Sequence, residues 1–137
     1  METKASLSSR SIQFYAVAVQ WASDLNFFKI ETAFFHRLLE DHFKKLPGIL
    51  EHLGKDSEKL RALDANIHKV EIKLGLQLRW IEMMTEDVIP EDPGSIAAEQ
   101  VQLEMLMTEL SAHFRELKKH LFGIVDGGPK VADVAIP

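Results

Sequence analysis

The chain has 137 residues, 46% of them apolar, which is enough for one substantial core and too few for two ordinary domains. Its net charge of −5 disfavours general binding to a phosphate backbone, and the absence of cysteine excludes disulfides, thiolate metal sites and a thiol nucleophile. The longest apolar run, Phe14 to Val19, stops at Gln20, far short of the roughly 20 residues that a membrane span requires.

Residues 1–10 are polar and read as a flexible tail. A first helix is predicted from about Ser11, with Ala18, Trp21, Leu25, Phe28, Thr32, Phe35, Leu39 and Leu46 spaced by threes and fours along one side. Pro47-Gly48 ends it, and Ile49 to Leu53 read as a short turn before Gly54. A second helix is predicted from Asp56 or Ser57, either of which can accept bonds from the free amides of a first turn. Its stripe is Leu60, Leu63, Ile67, Val70, Leu74, Leu78, Ile81 and Met84, and Gly75 within it suits a close helix crossing. Pro90 and the turn Asp92-Pro93-Gly94-Ser95 break the pattern, with Pro93 or Ser95 opening a third helix. That helix carries Ile96, Leu103, Leu106, Leu110, Phe114, Leu117 and Leu121 and closes at Gly123, leaving 124–137 as a second flexible tail. Period-two alternation survives nowhere beyond a few residues outside Val131 to Ile136. The expectation is a single all-α domain: an antiparallel up-down-up bundle of three long helices, each about 45 Å long.

A second apolar face is the first candidate for function. Phe27, Ile30 and Phe34 fall on the side of the first helix away from its inward stripe; Ile72, Leu76 and Met83 repeat the feature on the second, and Val101 and Met105 more weakly on the third. A three-helix monomer cannot bury such a face, and contiguous exposed apolar surface marks a partner site. The competing reading shifts the inward stripe by a few tens of degrees and makes all these residues core.

Histidine placement is the second. Antiparallel pairing sets His36, His68 and His113 at one height with Glu31, Glu71 and Glu109 nearby, and brings His42 and His120 to a common end. Metal-binding bundles use such residues on facing helices. The chain lacks both Glu-x-x-His and His-x-x-x-His spacings, so these residues support a metal or small-ligand site only as the alternative function, and no cofactor is expected.

Charge segregation is the third. No Lys or Arg occurs between Arg79 and Arg115, whereas Glu82, Glu86, Asp87, Glu91, Asp92, Glu99, Glu104 and Glu109 all carry negative charge. This acidic pole suits solubility or a basic protein partner. No Gly-rich loop and no nucleophile with a base is evident, so the residues lean away from an enzyme.

The segment from Trp21 to Phe43, WASDLNFFKIETAFFHRLLEDHF, with Trp21, Leu25, Phe28, Glu31, Phe35 and Leu39, resembles the opening helix of small bacterial helical-bundle proteins of unassigned activity. The resemblance implies a bundle and carries no functional residue with it. The residues themselves favour a cytoplasmic, non-enzymatic interaction or assembly module that forms a homo-oligomer, with a dimer favoured.

Overall fold

The computed structural model describes residues 8–45 and 50–125, with side chains within 8–41 and 54–123. All of its regular structure is helical: α1 (Ser9–Lys45), α2 (Leu50–Thr85) and α3 (Pro93–Val125). Among the described residues, no helix is long and apolar enough to cross a membrane. Leu46, the Pro47-Gly48 break and the segment Val131 to Ile136 lie outside the described residues.

The buried positions of α2 are Asp56, Leu60, Leu63, Ile67, Val70, Leu74, Gln77, Ile81 and Met84, a strict alternation of four and three. Those of α3 follow the same rule from Ile96 through Gln100, Leu103, Met107, Leu110, Phe114, Leu117 and Leu121. This is a seven-residue repeat with two seam positions, the spacing that keeps one line of a helix facing its neighbours. The repeat corrects the expected stripes at two places. Gln77 rather than Leu78, and Met107 rather than Leu106, occupy the seam. Apolarity alone favoured the leucines, but a seam advances by three after a step of four, and the half-buried Leu78 and Leu106 stand one residue off it.

The residues form two compact units, each holding one stretch of every helix. The first comprises residues up to Phe27 with Ile67–Glu109, and the second comprises Phe28–Asn66 with the residues from Leu110 on. In the first unit Ser11 of α1 meets Glu91 beyond α2, and Tyr15 meets Glu82, so α1 and α2 are antiparallel. Lys73 pairs with Glu99 and Gln77 with Ile96, which makes α2 and α3 antiparallel as well. Within the second unit Phe28 stacks near Phe114, Glu31 pairs with Lys118, and Phe35 meets Phe122, the rising order of parallel α1 and α3. The direction in the first unit is therefore up, down, up.

A buried polar layer crosses the first unit. Gln77 Nε2 donates to the Ile96 carbonyl at 3.1 Å and to Gln100 Oε1 at 2.9 Å, while Gln100 Nε2 donates to the Phe14 carbonyl at 3.0 Å. Polar seam residues that satisfy one another fix which layers face each other, because any slip would leave them unpaired. Below this layer Ile81, Met84 and Ile96 form an apolar cluster packed by Phe14, Tyr15, Trp80 and Ile89.

The helix ends differ from expectation in four places. α1 begins at Ser9, with Ser8 as its cap: Ser8 Oγ accepts from the Ser11 amide at 3.1 Å, so residues 9 and 10 are helix rather than tail. α2 runs through Gly54 back to Leu50, and Asp56 is an interior, buried residue rather than a cap. A single glycine costs a helix only about 1 kcal/mol, less than burial of the following seam returns. α3 likewise continues past Gly123 to Val125. α2 ends with Asp87 in the left-handed region at φ 61°, where its amide reaches the Met84 carbonyl and that of Val88 the Met83 carbonyl, so the carbonyls of the last turn keep donors. As expected, Pro93 opens α3; Asp92 caps it, accepting from the Ser95 amide at 3.2 Å.

Gly75 does not mark a close crossing. It is exposed, and an added Cβ would meet nothing within 4 Å. Gly75→Ala is therefore expected to stabilise the protein by about 1 kcal/mol through helix propensity, read as a melting temperature higher by about 3–5 °C.

Candidate functional site

The second apolar face is solvent-exposed, not core. In the first unit Phe27 is 50% and Leu76 67% exposed, with Ile72, Val101 and Met105 also open and Met83 half-buried. Leu76, Trp80 and Met83 line a groove of about 430 Å³ together with Lys73, Arg79 and Glu99. In the second unit Ile30 is 62% and Phe34 44% exposed, and the Phe34 ring lies 6.1 Å from that of the buried Phe35. The reading that these residues sit in a displaced core is excluded by Leu25, Phe28, Thr32, Phe35 and Leu39, which hold the inward line themselves.

The residues of the expected histidine level have separate surroundings within their own units. His36 Nε2 lies 2.6 Å from Asp64 Oδ2 in the second unit, whereas His68, in the first, is exposed with Glu71 Oε1 at 4.0 Å. Glu31 pairs with Lys118 at 3.0 Å, and Glu109 is an exposed residue of the first unit. Among the described residues no group of three or more His, Asp or Glu could hold a metal ion. Similar height was the only criterion that united these residues, and positions one residue off a seam point about 100° away from it. The side chain of His42 lies outside the described residues, and His120 takes a partner that spacing did not suggest.

That partner is Asp56. Its carboxylate is buried in the second unit, where His120 Nε2 lies 3.0 Å from Oδ1, while Oδ2 is buried without a hydrogen-bond partner among the described residues. Stepping the seam back by four from Leu60 reaches Asp56, so the repeat could have found its burial, though not its histidine. Beside this pair α2 and α3 leave a cleft of about 600 Å³, lined by Lys59 and Leu63 on one wall and by His113, Glu116, Leu117 and His120 on the other. On α3 the polar lining residues repeat by three and four next to the seam, so His113, Glu116 and His120 share one flank.

Several acids of the expected pole are occupied within the first unit. The Glu91 carboxylate accepts from Ser11 Oγ at 2.6 Å, Ser8 Oγ at 2.7 Å and the Ser8 amide at 3.2 Å, and so sits at the positive start of α1. The Ser11 and Ser8 hydroxyls and the Ser8 amide hold its pKa below the usual carboxyl value against the opposing effect of burial. Glu82 accepts from the Tyr15 hydroxyl at 3.2 Å; burial first, then the bond and charge of Glu82, raise the tyrosine pKa. Asp92 caps α3 and Glu99 holds Lys73. Glu86, Asp87, Glu104 and Glu109 remain exposed.

No family model matches the chain, and no curated protein or solved structure is significantly similar to it.

Proposed function

We propose that the protein is a non-enzymatic assembly module that associates with a second copy of itself through outward apolar residues, Phe27, Leu76 and Met83 in the first unit and Ile30 and Phe34 in the second. The observation that carries this reading is the exposure of these large side chains although the inward seams are complete without them. Already half covered, each would gain about 1 kcal/mol on full burial, and one self-complementary patch serves both subunits of a twofold dimer. A standard interface takes about 800 Å² from each partner, so half-open rings and aliphatic chains at this spacing supply its centre and their polar neighbours its rim. A basic protein partner is less well supported, because Glu82, Glu91, Asp92 and Glu99 already have internal partners. A cytoplasmic setting suits a chain without cysteine.

Light scattering decides the matter. The unmodified protein is expected to have the mass of a dimer, and Phe34→Glu that of a folded monomer with unchanged helix content, since Phe34 lies off the seam. A unit-mass species at high concentration for the unmodified chain would overturn the reading.

A further inference from the structure

Given the self-association proposed above, we infer that two copies pair along the first half of α1, with the helices antiparallel about a twofold axis at Val19 and with Ile12, Ala16, Ser23 and Phe27 in the contact. These five residues are spaced by four, three, four and four, so they run along one side of α1 for about 22 Å. All belong to the first unit, and all are exposed. Phe27 makes the line continuous with the apolar residues already assigned to the interface.

Charge and order together say what covers this line. From Ser11 to Ser23 there is no Lys, Arg, His, Asp or Glu, although 27% of the chain is charged. The open sides of α2 and α3 in the same unit differ, carrying Lys69, Lys73 and Arg79 on the one and Glu104 and Glu109 on the other. A helix side that stays in water is ordinarily charged, and a charged partner would find nothing to pair with on this one. A second copy brings the same uncharged line. Its side chains alternate large, small, large, small, large, an order that reads nearly the same from either end. Reversed against itself about Val19, it sets Ile12 across from Phe27 of the second copy and Ala16 across from Ser23, while Val19 meets its own counterpart. The two small residues let the helix axes approach, and the large ones close the layers on either side.

Charge also selects the antiparallel direction. Glu91 accepts from Ser8 and Ser11, and Glu82 from Tyr15, so the acidic end of the unit, with Glu86, Asp87 and Asp92, lies at the start of α1. Parallel helices would bring two such ends together, whereas antiparallel helices carry them to opposite ends of the contact.

The chain has no cysteine, so a single introduced thiol reports a single contact. Val19→Cys is expected to give a covalent dimer as the main product of mild oxidation, because the two copies of a residue on the axis come within disulfide reach. Ile12→Cys is expected to give about tenfold less, since its two copies lie about 22 Å apart in the antiparallel pair, and to form a mixed disulfide with Phe27→Cys. Equal yields from Val19→Cys and Ile12→Cys would mean a parallel pair and overturn the inference. Ala16→Glu, at an exposed position, is expected to keep the helix content and to weaken dimerisation by about tenfold or more in light scattering. A dimer that fails to cross-link at Val19, or that Ala16→Glu leaves intact, overturns this inference alone and leaves self-association through other residues standing. A monomeric unmodified protein overturns both.

Discussion

Phe35→Ala is expected to lower the unfolding free energy by about 3–5 kcal/mol, a large share of the 5–15 kcal/mol that keeps an ordinary domain folded. Phe35 is a seam residue, almost wholly buried, and its ring meets those of Phe114 at 6.0 Å and Phe122 at 5.9 Å. Alanine removes the ring and leaves a hole that neighbours on two rigid helices fill only in part. Urea denaturation monitored by circular dichroism measures the loss. Phe34→Ala is the control: the adjacent phenylalanine is exposed, so in a monomeric preparation its removal should cost less than about 1 kcal/mol. Equal losses at the two positions would mean that the assignment of inward and outward faces on α1 is wrong.

Glu91→Gln is expected to cost about 1–2 kcal/mol at neutral pH, and nothing in acid. The carboxylate gathers two serine hydroxyls and an amide at the start of α1, where a negative charge also complements the helix dipole. Its pKa in the folded protein is lowered from the ordinary 4.5, so folding favours the ionised form. The stabilisation is therefore complete above the ordinary value and is lost as the pH falls through the folded one. Denaturant midpoints of the two proteins should differ at pH 7 and converge once the pH has fallen below the lowered pKa of the folded state. A difference that persists unchanged in acid would show that the shape of the side chain matters and its charge does not.

Much of the fold is legible in the residues. Leu25, Phe28, Phe35 and Leu39 on α1, Leu60 to Met84 on α2 and Leu103 to Leu121 on α3 announce three helices and their inward sides by spacing alone. The same spacing marks Phe27, Ile30, Phe34 and Leu76 as outward, and they are exposed. The predicted stripes choose Leu78 over the buried Gln77 and omit Asp56 and Gln100, because a search for apolar residues passes over polar side chains that the repeat itself requires to be buried. The metal grouping rests on spacing alone. His36, His68 and His113 are grouped only by their spacing along the chain, which says nothing of direction, and each imidazole has a different neighbourhood.

What the sequence by itself determined is the angle of each side chain about its own helix, because a repeat of three and four residues is a property of one helix and needs no partner. Which residue stands across from which was decided by the tertiary structure alone. Gln77 finds Gln100, Glu91 reaches back to Ser8 and Ser11, and Asp56 takes His120, at separations in the chain of 23 residues or more. Those pairings depend on how far one helix is shifted along the next, and that shift is set by the fit of whole seams and the length of the connections. No local pattern carries it, so the cleft at His120 became visible only once α2 and α3 were packed.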